Sequence, residues 1–187
     1  MTLRQWNHLL TAVVVLLASY IILLPLLPAF SWWAQHQAPI ISSPPNTSGV
    51  TPAIIPTENT LVIPSLDLQQ TIYEGSNKYT LRKGVWHRPN SSTPILGGNT
   101  VLAGHRFTYH DPAVFYNLDK VSVGDKMVLY WEGKKYEYKV AKILTVPPTA
   151  TEVEEPTSEP TLTVYTCTPL WSSKSRLVLV GTLVEKS

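Results

Sequence analysis

The sequence contains a single cysteine, Cys167, at the end of the run Thr163-Val164-Tyr165-Thr166-Cys167-Thr168-Pro169. The alternation of Leu162, Val164 and Thr166 marks a strand, and Pro169 forbids that strand to continue. A thiol at such a strand end is held rigidly and still reaches solvent. To act as a nucleophile it needs a neighbour that takes its proton or supplies positive charge, because a free thiol has a pKa of about 8.5. Arg176 opens the apolar run 177–180, so the loop 168–175 can return the chain beside the cysteine strand with a guanidinium close to the sulfur. A guanidinium there is a donor to charge developing on a substrate carbonyl oxygen. The plainer alternatives are a packed, inert thiol for Cys167 and a solvated strand start for Arg176.

Five histidines compete for the role of proton partner. His8 adjoins a long apolar run, His36 lies in a proline-rich stretch, and His87 and His110 fall in loop-like sequence. His105 differs in position: it follows the apolar segment 99–103 directly after Gly104, whose missing side chain permits close approach. A satisfied histidine at a strand end is the competing reading. Arg106 likewise reads either as part of a site or as an ordinary surface charge. The segment 147–160 holds Glu152, Glu154, Glu155 and Glu159, but in no regular spacing for a hard cation. No metal or other cofactor is expected. Glycine-rich phosphate loops, C-x-x-C pairs and H-E-x-x-H are absent.

The totals narrow the class of protein. The 187 residues suffice for one ordinary domain with appendages, and a formal charge of +2 without basic clusters argues against a nucleic-acid partner. One cysteine excludes an internal disulfide framework. Sixteen prolines against nine glycines, with many Val, Thr and Tyr, point to β structure joined by proline-marked loops.

Several short elements must then position the candidate residues. Strands are expected at 60–63, ended by Pro64, at 66–72, at 99–103, at 127–131 and 136–146 joined by a Glu132-Gly133 hairpin turn, at 161–167, and at 176–184. Residues 76–98 read as loop, and Asp111-Pro112 reads as the start of a short helix running to 118. The set amounts to an all-β domain, a small closed barrel with one or two short helices, over 59–187.

Ahead of it, residues 9–30 are almost wholly apolar and uncharged, about the length a helix needs to cross a hydrocarbon core of roughly 30 Å. Trp6 lies before the run and Trp32 and Trp33 follow it, as in an aromatic belt. The run is long for a signal peptide and no A-x-A-like cleavage site follows. An uncleaved anchor is therefore expected, with residues 1–8 inside, the bulk of the chain outside, and 31–58 as an extended Pro/Ser/Thr-rich tether.

Ala103-Gly104-His105-Arg106, Tyr165-Thr166-Cys167-Thr168-Pro169 and Arg176-Leu177-Val178, in that order, resemble the sortases, bacterial surface cysteine transpeptidases, over roughly residues 59–185. The resemblance implies the eight-stranded sortase barrel with His105, Cys167 and Arg176 as its catalytic triad. It implies cleavage of a Thr–Gly bond in an LPxTG- or LAxTG-like sorting signal through a thioester, and transfer to an amine such as a peptidoglycan precursor. Cys167-Thr168-Pro169-Leu170-Trp171-Ser172 with Lys174 and Arg176 is similar to the class E pattern. Tyr109 matches a class E tyrosine associated with alanine in place of proline in the signal, and Tyr109 and Thr166 are the expected substrate-binding residues. Class C, the pilin polymerases, shares T-C-T-P, G-H-R and the run Asn117-Leu118-Asp119-Lys120. Its lid motif is not read in the tether, and its second membrane span is not expected here. The acidic segment is similar to the calcium site of class A, although its ligands do not map residue by residue. The competing function is a non-catalytic barrel that binds surface peptides.

Overall fold

The computed structural model describes residues 2–23, 56–110 and 113–186. The chain divides into two units, Met1–Thr51 and Pro52–Ser187.

In the first unit, helix α1 covers Leu3–Leu23 and so begins six residues ahead of the apolar run. The cause is a cap: the Gln5 side chain accepts from the backbone N–H of Thr2 at 2.9 Å, half of a capping box. Thr11 and Ser19 donate their hydroxyls to carbonyls one turn back, which satisfies both polar groups within the helix. The apolar part of α1, residues 9–23, rises about 22 Å, short of a core of roughly 30 Å. Among the described residues no helix is long and apolar enough to cross a membrane. Residues 24–30, the rest of the expected span, and most of the expected tether lie outside the described residues.

The second unit is a closed barrel of eight strands: β1 Thr60–Ile63, β2 Leu68–Tyr73, β3 Val85–His87, β4 Asn99–Ala103, β5 Lys126–Trp131, β6 Lys134–Val146, β7 Thr161–Thr168 and β8 Ser175–Lys186. Their order around the barrel is β1-β2-β3-β4-β7-β8-β6-β5, and β5 closes onto β1. Two neighbouring pairs, β2/β3 and β4/β7, are parallel, and the others are antiparallel. Inward-facing Leu61, Ile63, Leu102, Leu129, Leu162, Val164 and Leu179 are fully buried and form the core together with Phe115 and Leu118. Each such aliphatic side chain contributes about 1.5–3 kcal/mol by leaving water.

The expected all-β barrel is present, with local differences that have physical causes. The β5–β6 hairpin turns at Glu132 and Gly133 with φ of 48° and 73°, the two positive values of a two-residue type I′ turn. Strand β2 starts later than expected because Asp67 takes a left-handed conformation, φ 50°, after a 3-10 turn at Pro64–Leu66. Strand β3 lies within the stretch read as loop; three residues are too few to show a period. The helix expected up to 118 does not form in the described part of that segment, and Asp111 and Pro112 lie outside it. The amide of Phe115, which a helix would direct to the carbonyl four residues back, donates instead to His105 O at 3.0 Å. What remains is one 3-10 turn, Leu118–Lys120, whose Leu118 is in the core. The short helices of the described barrel are all of this kind, at Pro64–Leu66, Lys78–Arg82, Leu118–Lys120 and Thr151–Glu154.

Candidate active site

Strand pairing brings the three candidate residues together. Strand β7 runs between β4 and β8. On the β8 side, Cys167 is the register partner of Arg176. Directly opposed residues of an antiparallel pair point to the same face with Cβ atoms about 4.5–5.5 Å apart. On the β4 side the pairing is parallel and ends at Ala103 with Tyr165. Past that pair, the Gly104 amide donates to Tyr165 O at 3.2 Å and the Thr166 hydroxyl donates to Gly104 O at 2.8 Å. His105 therefore leaves β4 level with Cys167.

Gly104 is required at this point. A Cβ there would lie 2.5 Å from the Phe115 ring and 2.7 Å from Val114. The close packing beneath Gly104 and the bond from Phe115 to His105 O hold the histidine backbone from two sides.

His105, Cys167 and Arg176 line one cavity of about 340 Å³. All three are half-buried, and Cys167 is a free thiol. The Arg176 Nη1 donates to Ser173 O and Ser175 O, each at 3.1 Å, so the carbonyls of the β7–β8 loop orient the guanidinium. The arrangement offers a thiol, an imidazole and a cationic donor to one open cleft, which is the set of groups that acyl transfer through a thioester needs.

The same cavity is also lined by a charged network that sequence reasoning missed. Arg88 donates from Nε and Nη2 to the two oxygens of Glu154, at 2.9 and 3.1 Å, while its guanidinium lies 4.3 Å from the Trp86 ring centroid. The Tyr165 hydroxyl donates to Glu154 Oε1 at 2.6 Å. Burial, and then that hydrogen bond, hold the Tyr165 phenol above its ordinary pKa, so it remains a donor. Asn99 adds two bonds to the carbonyls of Val153 and Glu155. The acidic segment is thus pinned to the barrel by protein donors. Among the described residues no group of three or more His, Cys, Asp or Glu is placed to hold a metal. Nothing in the local pattern pairs Arg88 with a residue 66 positions away.

The remaining candidates separate clearly. Thr166 lines the cavity, but it is buried and its hydroxyl is bonded to Gly104 O. Tyr109 is 81% exposed and lines a second cavity of about 360 Å³, which Cys167 also borders. Arg106 is no surface charge: it is buried, donating to Thr168 Oγ1 at 2.8 Å and pairing with Asp119 at 3.0 Å. It ties the residue after His105 to the residue after Cys167. His87 is a structural residue. Its Nδ1 meets Glu74 at 2.9 Å, and its Nε2 faces both Ser91 Oγ and Ser92 O at 3.0 Å. That resembles a Ser-His-Glu relay, yet the Ser91 hydroxyl donates to Arg88 O and Nε2 faces a carbonyl, so the group clamps a turn. His110 is exposed, His8 lies on α1, and His36 is outside the described residues.

Comparison with known proteins places the chain in a family. Residues 61–184 match the family model described as the sortase domain. The chain is 34% identical over 142 residues to Sortase SrtE1 of Streptomyces coelicolor, covering 67% of this chain and 40% of that protein. It is 30% identical to Sortase A of Bacillus anthracis, covering 65% and 57%. The chain thus spans about half the length of these curated relatives. Among solved structures, a lid mutant of Streptococcus agalactiae Sortase C1 superposes with a TM-score of 0.62 at 30% identity, covering 68% of each chain. Sortase D5 of Clostridium perfringens gives 0.62 at 28% identity, covering 69% and 79%. The chain belongs to the sortase family.

Proposed function

We propose that this protein is a membrane-anchored cysteine transpeptidase that cleaves the Thr–Gly bond of an LPxTG- or LAxTG-like sorting signal and joins the surface protein to a cell-wall amine. The observation that carries this reading is the meeting of His105, Cys167 and Arg176 on one cavity. Cys167 attacks the threonyl carbonyl, and Arg176 donates to the oxyanion as it forms. His105, as imidazolium, protonates the departing glycine amine and later takes a proton from the incoming amine. The acyl group is held meanwhile as a thioester on Cys167.

The anchor in this reading is residues 9–30, with the N-terminus inside and the barrel outside. The reading is supported by the uncharged apolar sequence through Phe30 and by Arg4 ahead of it. Placement at the membrane brings the site near the exported signal and a lipid-linked peptidoglycan precursor. Class E is favoured by the Cys167–Arg176 motif and is compatible with the match to SrtE1. A pilin-polymerase role is the second reading, favoured by the likeness to Sortase C1 structures.

The test is mass spectrometry of the full chain in detergent with a sorting-signal peptide and an amine. A thioester on Cys167 and a ligated product are expected from the native protein, and neither from Cys167→Ala. Peptide binding that survives Cys167→Ala, with no thioester under any condition, would make the protein a non-catalytic peptide receptor.

A further inference from the structure

The ladder that aligns His105 with Cys167 stops short of both. Pairing of β4 with β7 ends at Ala103 with Tyr165. Arg106 resumes the link on the far side of the pair. Its Nη1 donates to Thr168 Oγ1 at 2.8 Å, and its Nη2 meets Asp119 Oδ1 at 3.0 Å. Arg106 follows His105 in the chain and Thr168 follows Cys167, so this one side chain brackets the imidazole and the sulfur. The other end of the brace is anchored in the core. Asp119 sits in the 3-10 turn Leu118–Lys120, whose Leu118 is fully buried. The amide of Leu118 donates to Phe115 O, and Phe115 in turn donates to His105 O.

Stability alone does not account for a guanidinium here. Arg106 is buried, and its Nε is enclosed without a hydrogen-bond partner. An apolar side chain of similar volume often matches or exceeds a buried ion pair in stability, and an unsatisfied buried donor adds a further cost. Asp119 is 37% exposed, with Lys120 Nζ 3.8 Å from its other oxygen, so it would stay solvated if the guanidinium were removed. What an apolar side chain lacks is a directional bond to the Thr168 hydroxyl. Resting on the transpeptidase reading, we propose that Arg106 is a positioning residue, which sets the separation of the His105 imidazole and the Cys167 sulfur by tying Thr168 to Asp119. Proton transfer through an imidazole needs heavy-atom approaches of about 2.6–3.2 Å, and a misplacement of about 1 Å costs on the order of 100-fold. Loosening the brace therefore slows thioester formation and its breakdown alike. The peptide keeps the Arg88–Glu154 side of the cavity, which Arg106 does not touch. The loss thus falls on kcat and spares KM.

The experiment uses the full chain in detergent, with thioester formation followed by mass spectrometry, steady-state cleavage of an LPxTG-like signal peptide, and a thermal midpoint for each variant. Arg106→Met removes the brace and fills its volume. Thr168→Val removes only the acceptor hydroxyl, and Thr168→Ser keeps it. Arg106→Met is expected to lower kcat about 100-fold and Thr168→Val about tenfold, each with KM within about twofold of native. Their thermal midpoints should stay within about 5 °C of the native chain. Thr168→Ser should retain kcat within about threefold of native, because the bond from Arg106 is preserved. Native kcat in Thr168→Val, a Thr168→Ser chain as slow as Thr168→Val, or an Arg106→Met loss that vanishes on correction for the folded fraction would each overturn the proposal. Should Arg106→Met fail to fold, the two Thr168 variants decide by themselves. Absence of any thioester in the native chain would instead defeat the transpeptidase reading, so the two failures are distinguishable.

Discussion

Cys167 on β7 stands directly opposite Arg176 on β8, one antiparallel step apart on the same face. That register puts the guanidinium on the strand face that carries the thiol, and the Ser173 and Ser175 carbonyls orient it. Arg176→Ala is therefore expected to lower kcat for peptide cleavage by about 100–1,000-fold, the usual effect of losing an oxyanion donor. KM should change little. Steady-state kinetics with a fluorogenic signal peptide measure this, and a loss of only a few-fold would remove Arg176 from the chemistry.

Gly104→Ala tests the packing beneath His105. The new Cβ would meet the Phe115 ring at 2.5 Å, and overpacking of this kind costs about 1–3 kcal/mol. Urea denaturation should show that loss. Activity at temperatures where the variant stays folded should also fall, because the displaced backbone carries the histidine. A variant that is stable and fully active would show that the Phe115 ring yields freely.

Arg88→Ala should loosen the segment that walls the cavity. Glu154 would lose both guanidinium bonds and keep only that from Tyr165. The expected result is faster limited proteolysis within 147–160 and a raised KM for the signal peptide, with kcat affected less. Unchanged proteolysis would mean that the Asn99 bonds suffice to hold the segment.

Tyr165→Phe addresses the alkaline limit. The folded state keeps this phenol protonated above its ordinary pKa of about 10, whereas the unfolded chain ionises near that value. Its contribution to stability is thus fully present below pH 10 and is lost as pH rises further. Denaturation midpoints at pH 8 and pH 11 should show a smaller alkaline loss for the variant than for the native chain. Equal losses in the two proteins would exclude Tyr165 as a source.

Much of this architecture was legible along the chain. Short apolar runs located β1 and β4, alternation located β7, Glu132-Gly133 located a hairpin, and Pro169 placed Cys167 at a strand end, because each is a local preference written in a few adjacent residues. The aborted helix before Leu118 shows the limit of local signals. Asp111-Pro112 favours a helix start, but burial of Phe115 beneath Gly104 and its bond to His105 O outweigh that preference.

Long-range pairing belonged to the tertiary structure alone. Alternation shows which side chains turn inward but not which strand lies alongside or in what register. The parallel pairing of β4 with β7 brings His105 level with Cys167, and the ion pair of Arg88 with Glu154 bridges 66 residues. Both arise where the whole core closes around Leu102, Leu162 and Val164, so no short stretch of sequence contains them.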